Sequence, residues 1–228
     1  MNATGPTYGT WHADSAREPA MEEGHRPYWR HFIASVPETE LSGCDVLDFG
    51  CNRGGFLRLL YALRPFRSGV GVDIAQDSVA AAQRLGGAVP VEYVVASDLS
   101  AWRERFDIAF SYEVIYLLPD LAAHAAGIHA ALRPGGVYYA VTGCHTASPL
   151  WPAWRTLIGG TTNAPVQDRS PEEYAAAFRD AGFAVSVRRF GYDGFVPAVD
   201  SRYYPTLSDA LDYGHTHKLL FRMVKARS

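Results

Sequence analysis

The chain has 228 residues, of which 48% are hydrophobic and 20% are charged, and its formal net charge at pH 7 is −3. This length is enough for one compact α/β domain with a sizeable core. The sequence has no apolar run of the about 18 residues that a membrane span needs, no signal-peptide pattern and no lysine- or arginine-rich cluster. We therefore expect a cytoplasmic protein that binds neither nucleic acid nor a membrane.

The cysteines and histidines do not predict a metal centre. Cys44, Cys51 and Cys144 are an odd, sparse set without metal-ligand spacing, so a disulfide framework is not expected either. His215 and His217 would point to one side of a strand, which is a metal-like spacing, but no third ligand accompanies them. Of the 21 basic residues, 19 are arginine, which together with abundant alanine and glycine is typical of a high-GC bacterial genome.

The first predicted elements are a polar segment and a helix. Residues 1 to about 25 are polar and turn-rich. Tyr8 and Trp11 in this segment are larger side chains than a simple terminal tail usually has. A helix is predicted after Pro27, because apolar residues then recur with helical spacing, and Pro37 ends it.

Strand and helix patterns alternate from there to the end of the chain. Short apolar runs predict seven buried strands, at 44–49, 70–74, 91–95, 106–110, 137–141, 184–188 and 219–224. Helical periodicity, glycine stops and a capping box predict helices that end near residues 64, 86, 132 and 182.

This alternation predicts a mostly parallel sheet with helices on both faces. Two segments, 143–169 and 191–217, do not fit it and are rich in glycine, proline and aromatic residues. We expect them to form small cap insertions over a substrate. Residues 1–40 are predicted to be an N-terminal cap segment and helix, and residues 41–228 to be one domain that carries both insertions.

A glycine-rich motif lies at the junction between the first strand and the next helix. Residues 46–56 read Val-Leu-Asp-Phe-Gly-Cys-Asn-Arg-Gly-Gly-Phe, and the glycines let the backbone approach a ligand and adopt positive φ. Three further signals follow in order: Asp73 at the end of the second strand, Ser-Asp-Leu at 97–99, and Leu-Arg-Pro-Gly-Gly at 132–136.

Together these motifs resemble those of the class I S-adenosylmethionine-dependent methyltransferases, most strongly over residues 44–145. One departure is Asn52, which stands where the family usually has the middle glycine; asparagine is the non-glycine residue that best tolerates left-handed geometry. The resemblance implies an α/β fold, a doubly wound seven-stranded sheet with the last strand antiparallel, and S-adenosylmethionine as cofactor. The residues that it implies for cofactor binding are Asp48, Gly50, Cys51, Asn52, Gly54, Asp73 at the ribose, Ile74, Asp98 near the adenine, Leu99 and Ser111.

The candidates for contact with the methyl acceptor follow the fourth and fifth strands. By the same resemblance the end of the fourth strand lines the methyl-donor site, where Glu113 and Tyr116 either touch the substrate, close a turn or cap the following helix. His145 lies just past the fifth strand and is a candidate general base, with a surface-loop histidine as the alternative. Four aromatic residues either wall a pocket or pack their own loop: Tyr192, Phe195, Tyr203 and Tyr204.

Three other functions compete with a methyltransferase. A dinucleotide-dependent dehydrogenase needs Gly-x-Gly-x-x-Gly, and Asp48 would repel its pyrophosphate. A non-methylating enzyme that uses the same cofactor, such as an aminopropyltransferase, and a non-catalytic binding protein stay open. We predict methyl transfer to O, N or C of a small, aromatic, natural-product-like molecule. The sequence identifies neither the acceptor nor the oligomeric state, and it leaves a homodimer open.

Overall fold

A seven-stranded sheet organises the protein, whose computed structural model describes residues 8–198 and 202–227. Across the sheet the order is β3-β2-β1-β4-β5-β7-β6; β7 is antiparallel to both of its neighbours, and every other pair is parallel. The predicted sheet, with its antiparallel last strand, is thereby confirmed. The strands are β1 (Leu41–Phe49), β2 (Phe66–Asp73), β3 (Val91–Val95), β4 (Phe106–Tyr112), β5 (Leu132–Thr142), β6 (Phe183–Arg189) and β7 (Leu219–Lys225).

Helices cover both faces of this sheet. The helices are α1 (Glu18–Ser35), α2 (Gly55–Leu63), α3 (Gln76–Leu85), α4 (Leu121–Ala131), α5 (Trp151–Thr161), α6 (Pro171–Asp180) and α7 (Leu207–Asp212). One hydrophobic core packs α1, α2 and α3 on one face, and a second packs α4, α5 and α6 on the other. The central strands β1, β4 and β5 are therefore buried on both sides over most of their length, which explains why they read as continuous apolar runs, whereas the edge strands β3 and β6 are partly exposed. Within the described part of the chain, no helix is both long and apolar enough to cross a membrane.

Helix α1 begins earlier than its sequence predicts. The expected start after Pro27 is wrong, because α1 starts at Glu18 and Pro27 lies inside it. An internal proline removes one backbone hydrogen bond and disfavours a helix. Trp29, Phe32 and Ile33 are buried against the sheet from the next turn on, and this packing holds the helix together across the proline.

The two predicted cap segments contain regular structure. Segment 143–169 includes α5, which the sequence pattern missed because its glycines and prolines suggested an irregular loop. Segment 191–217 includes α7 and a π-helical turn, Tyr213–His217, so that His215 and His217 do not lie on a strand as predicted. Residues 199–201 of this segment, and residues 1–7 of the N-terminal segment, lie outside the described residues.

A charged network stabilises the amino edge of the sheet. The Asp45 side chain is 3% exposed and accepts hydrogen bonds from Arg67, Ser68 and Arg133, while Arg105 lies 2.7 Å away. These contacts join the beginnings of β1, β2 and β5. Arg67 and the other hydrogen bonds hold the pKa of Asp45 well below its usual range, against the opposing effect of burial.

Replacing Asp45 by asparagine should lower the free energy of unfolding by about 2–3 kcal/mol, because the shared carboxylate charge is lost. The folded-state pKa is depressed, so this stabilisation is present above the unfolded pKa of about 3.9 and is lost as the pH falls towards the folded value. Urea unfolding of wild type and Asp45→Asn at several pH values measures their free energies of unfolding. The difference between the two should become smaller in acid. Asp14→Asn, in an exposed ion pair, is the matched control. Equal stability of Asp45→Asn and wild type at pH 7 would contradict the expectation.

Candidate active site

The loop between β1 and α2 has the backbone that its glycines predict. Gly50, Asn52 and Gly54 have φ angles of 82°, 44° and 75°. A Cβ added to Gly50 would clash with the Val114 side chain, and one added to Gly54 would lie 2.6 Å from ring atoms of Tyr93. Glycine is therefore required at both positions by backbone and by space, whereas Asn52 keeps the left-handed turn without the usual glycine.

Asp73 joins the end of β2 to this loop. Its carboxyl accepts hydrogen bonds from the backbone N–H of Asn52, at 2.8 Å, and from that of Ala75, at 2.9 Å. Burial raises the pKa of Asp73, although these two hydrogen bonds oppose the shift. A carboxylate has about four acceptor positions, so Asp73 keeps capacity for further donors such as ribose hydroxyls.

Asp48 lies beside Asp73, and no cation of the described residues balances its charge. Asp48 is 3% exposed, and among the described residues no hydrogen bond or ion pair reaches its carboxyl. Burial, followed by the negative charge of Asp73, raises the pKa of Asp48 to about 8. A buried carboxyl of this kind ionises readily beside a cation. The two acids therefore fit S-adenosylmethionine, which carries an ammonium group and two ribose hydroxyls.

The other predicted cofactor residues lie at or after the ends of β1 to β4, and they differ in how deeply they are buried. Cys51 is buried beside Asp48 and Asp73, whose charges add to burial in raising the pKa of its thiol. Ile74 directly follows Asp73 and is half-buried. The remaining three lie on the neighbouring strand ends: Ser111 is buried in β4, Leu99 is buried after β3, and Asp98 is exposed and accepts hydrogen bonds from Ser100.

Glu113 is the centre of a second group of polar residues, just past β4. Its carboxylate accepts hydrogen bonds from Tyr213 Oη at 2.8 Å, Thr142 Oγ1 at 3.1 Å and the Gly143 backbone N–H at 3.2 Å. The ammonium of Lys218 lies 2.9 Å away. Burial by itself would raise the pKa of Glu113, but Lys218 and these hydrogen bonds hold that pKa below its usual value. Every donor in this group therefore favours the ionised carboxylate.

Lys218 is enclosed by aromatic rings. It is 3% exposed, and its ammonium donates to Tyr112 Oη at 2.7 Å. The ammonium also lies 4.7–5.8 Å from the ring centroids of Tyr28, Tyr112, Phe190 and Tyr213, a distance at which cation–π attraction is effective. Glu113, Lys218 and these four aromatic residues are referred to below as the Glu113–Lys218 cluster. The sequence prediction missed Lys218, although it is one of two lysines in the chain and directly precedes the last strand.

The predicted aromatic pocket forms in part. Tyr192 packs against Tyr28 of the cluster at 4.3 Å between ring centroids, and Tyr204 packs against Tyr213 at 5.7 Å. Tyr203 contacts Trp154 of α5 instead, and Phe195 is fully exposed. Two of the four residues thus adjoin the cluster.

Two neutral histidines lie near the cluster. The ring of His25, on α1, is 5.2 Å from that of Tyr112, and burial, followed by the charge of Lys218, lowers the pKa of His25 to about 4.

His145 is 3% exposed, and its Nε2 lies 2.7 Å from the carbonyl oxygen of His217. A carbonyl only accepts, so Nε2 carries the proton and Nδ1 keeps a free lone pair. Burial lowers the pKa of His145, so its imidazole has the protonation state that a general base needs.

Tyr116 occupies a different environment from the other predicted catalytic residues. It is 2% exposed and packs edge-on against Trp151 at 6.0 Å within the core. Burial raises the pKa of its hydroxyl well above the ordinary value. Its predicted contact with substrate stays a prediction, as do the catalytic roles of Glu113 and His145.

Two surface cavities have volumes of about 200 Å³ and 370 Å³, and the lining of the larger one includes Phe190 of the cluster. The first is between α1 and α2, and the second is between α1 and the end of β6.

Across residues 8–198 and 202–227, no group of three or more His, Cys, Asp or Glu residues has the arrangement of a metal site.

Comparisons with known proteins agree with the fold. A family model described as a methyltransferase domain matches residues 21–186. A ubiquinone biosynthesis O-methyltransferase from Paramagnetospirillum magneticum is 31% identical over 75% of this chain and 73% of its own length. Nocamycin O-methyltransferase from Saccharothrix syringae is 31% identical over 76% of this chain and 62% of its own length. A Haloferax volcanii methyltransferase, solved with the Trm112 activator, superposes with a TM-score of 0.80 at 24% identity, covering 93% and 95% of the two chains.

The chain belongs to the S-adenosylmethionine-dependent methyltransferases of the class I fold. The predicted cofactor and enzyme class are thereby confirmed.

Binding of S-adenosylhomocysteine, the demethylated product, should release protons at pH 7, and its affinity should rise between about pH 6 and 8. In the free protein Asp48 stays largely protonated below its pKa of about 8, whereas an adjacent ammonium favours the carboxylate and lowers that pKa. Titration calorimetry in buffers of different ionisation enthalpy counts the protons released.

Asp48→Asn should bind the product about tenfold or more weakly, because an ionic hydrogen bond is lost, and should release fewer protons. The exposed Glu92→Gln on β3 is the matched control and should behave as wild type. Unchanged proton release in Asp48→Asn would mean that Asp48 does not hold the ammonium.

Proposed function

We propose that this enzyme transfers a methyl group to an acidic oxygen, a phenol, enol or carboxyl, of a small and largely aromatic molecule. The observation that carries the proposal is the Glu113–Lys218 cluster, a buried lysine enclosed by aromatic rings at the carboxyl ends of β4 and β5. In this proposal the predicted cofactor residues, from Asp48 and Asp73 to Asp98 and Ser111, hold S-adenosylmethionine beside the cluster.

The charges of the cluster favour an acidic acceptor over an amine. The Glu113 carboxylate is already compensated by Lys218 and by the donors that surround it, so it has little attraction left for a cationic substrate. Lys218 is neutralised by the same ion pair, but its ammonium has three N–H donors, and among the described residues only Glu113 and Tyr112 accept from it. The third N–H can be donated to an oxygen of the acceptor, whereas a cationic group offers it no acceptor. Flat aromatic walls at Tyr28 and Tyr204 favour an acceptor with an aromatic or unsaturated body.

The chain's own residues would position the acceptor and take up its proton. The bound cofactor supplies an electrophilic methyl group, and methyl transfer gains most of its rate when the nucleophilic oxygen is held in line with that group. The enclosing aromatic residues restrict the acceptor's position. His145 keeps its predicted role as general base, since its Nδ1 has a free lone pair and no hydrogen-bond partner within the described part of the chain.

The relatives support the choice of oxygen. Both curated relatives described above are named O-methyltransferases, one of ubiquinone biosynthesis and one of nocamycin. We further propose that the enzyme acts in the cytoplasm of a bacterium, in a biosynthetic reaction, and without nucleic acid or membrane as partner. A homodimer stays open.

Incubation with methyl-labelled S-adenosylmethionine and three acceptors that share one aromatic skeleton tests the proposal. We expect the phenol or the carboxylic acid to be labelled and the aniline to stay unlabelled, because the third N–H of Lys218 can be donated to an oxygen of the acceptor. Mass spectrometry of the products locates the methyl group. Labelling of the aniline alone would contradict the proposal, and cofactor binding without turnover of any acceptor would favour a binding protein.

Lys218→Met should raise the acceptor's KM about tenfold or more and change kcat less, because the interaction lost is with the bound acceptor. The affinity for S-adenosylhomocysteine should stay within about twofold of wild type. Steady-state kinetics and calorimetry measure the two quantities.

The double variant Lys218→Met with Glu113→Gln provides the control, because it removes the carboxylate that the lysine neutralises. We expect its KM to stay high. A return to the wild-type KM would show that Lys218 serves to neutralise Glu113 and does not contact the acceptor.

A further inference from the structure

The residues that precede α1 connect two distant corners of the fold. Tyr8 forms a parallel bridge with Ala75, and Tyr8 and Gly9 accept hydrogen bonds from the first N–H groups of α3, both at 2.9 Å. Farther along, His12 forms an antiparallel bridge with Thr162 at the end of α5. Residues 8–18 are referred to below as the strap.

The strap crosses the carboxyl ends of the central strands. Its first attachment directly follows β2, and its second lies on the helix that follows β5. In the sheet, β1 and β4 lie between β2 and β5. A chain that joins these two corners in four residues must therefore pass over the ends of β1 and β4, where Asp48 and the glycine-rich loop are found.

A buried carboxylate ties the strap to that loop. Glu18 is 1% exposed; its Oε1 accepts from the His12 backbone N–H and its Oε2 from Asn52 Nδ2, both at 2.7 Å. The orientation of the Asn52 amide is fixed, because its Oδ1 accepts from the Arg53 backbone N–H at 2.6 Å. Asn52 also donates its own backbone N–H to Asp73. The residue that replaces the usual glycine thus connects the strap to a predicted cofactor acid.

Two buried polar atoms of the strap lack a hydrogen-bond partner among the described residues. His12 is 4% exposed, and neither its Nδ1 nor the indole Nε1 of Trp11 has a hydrogen-bond partner within the described ranges. Buried polar groups are nearly always paired, so unpaired ones beside a ligand site indicate that the ligand supplies the partner. The cofactor carries carboxylate, hydroxyl and ring-nitrogen acceptors that an indole N–H can use.

We propose that the strap forms a wall of the S-adenosylmethionine site, with Trp11 and His12 as ligand-contacting residues and the Asn52–Glu18 hydrogen bond as the latch that holds the strap closed. Because the strap crosses the strand ends, the cofactor and its product enter and leave when the strap lifts. The inference concerns the cofactor alone. Its experiments therefore have the same expected results whether or not the proposed acceptor is correct.

Asn52→Gly tests the latch without straining the backbone. Glycine adopts the φ of 44° at this position freely and keeps the backbone donor to Asp73. We expect S-adenosylhomocysteine to dissociate about tenfold or more faster, because a hydrogen bond to a charged group is lost. Stopped-flow displacement measures that rate, and the thermal midpoint of the free protein checks that the variant is folded.

Limited proteolysis measures how often the strap opens, and it does not depend on methyl transfer. Arg17 has a half-exposed side chain directly before Glu18, so trypsin cleaves there when the strap lifts. In the wild type, S-adenosylhomocysteine should slow this cleavage. In Asn52→Gly, cleavage should be faster without the ligand, and the ligand should protect less.

Glu18→Gln is the second variant, and Glu23→Gln is its matched control. The glutamine amide would place an N–H group against the donor of either His12 or Asn52, so Glu18→Gln should also speed ligand release and cleavage. Glu23, in an exposed ion pair on the same helix, should tolerate the change without effect. Wild-type dissociation rates in both Asn52→Gly and Glu18→Gln, with cleavage at Arg17 that the ligand does not slow, would overturn the proposal.

Discussion

The region past β4 and β5, which is the proposed acceptor side of the site, depends on the buried ion pair between Glu113 and Lys218. Each charge would be costly in the protein interior alone, and together they are compensated at 2.9 Å and by neutral donors. The pair brings together the end of β4, the end of β5 and the beginning of β7, and its aromatic enclosure adds α1 through Tyr28. Removing either partner would leave a buried charge without its counterion, so the geometry of this region is set by electrostatics as much as by packing.

The two sides of the site differ in how their charges are balanced. Around Glu113 the negative charge is matched within the protein, whereas Asp48 and Asp73 lie together without a cation in the described structure. The energetic cost of keeping two acids side by side is recovered when a cationic ligand binds. This contrast separates the tasks of the two sides. In the proposed function, the two acids attract the sulfonium cofactor with its ammonium group, and the cluster offers an ammonium donor and aromatic surface to the acceptor.

Most of the fold and the cofactor loop were predictable because they depend on local patterns. Buried parallel strands leave continuous apolar runs, and the turn from Gly50 to Gly54 requires particular residues at fixed positions. The start of α1 was mispredicted because Pro27 is locally unfavourable, and tertiary packing in the following turn overrides it. Lys218 was missed for a related reason: the residues around it are distant in sequence, and no local pattern predicts their meeting. The side-chain contact of Asn52 with α1 was equally non-local, although the sequence identified its departure from the family motif.

The proline inside α1 divides that helix into two mechanically different halves. Pro27 has no N–H to donate to the carbonyl one turn earlier, so the helix bends more easily there than elsewhere. The half after it is anchored in the core by Phe32 and Ile33, while the half before it carries Glu18 and His25. In the proposed opening of the strap, a bend at Pro27 would let the first half tilt outward while the core stays packed, once the ion pairs of Glu22 with Arg53 and Arg58 have broken. A motion of this kind would leave the sheet and its two hydrophobic cores unchanged, because α1 after Pro27 keeps its packing.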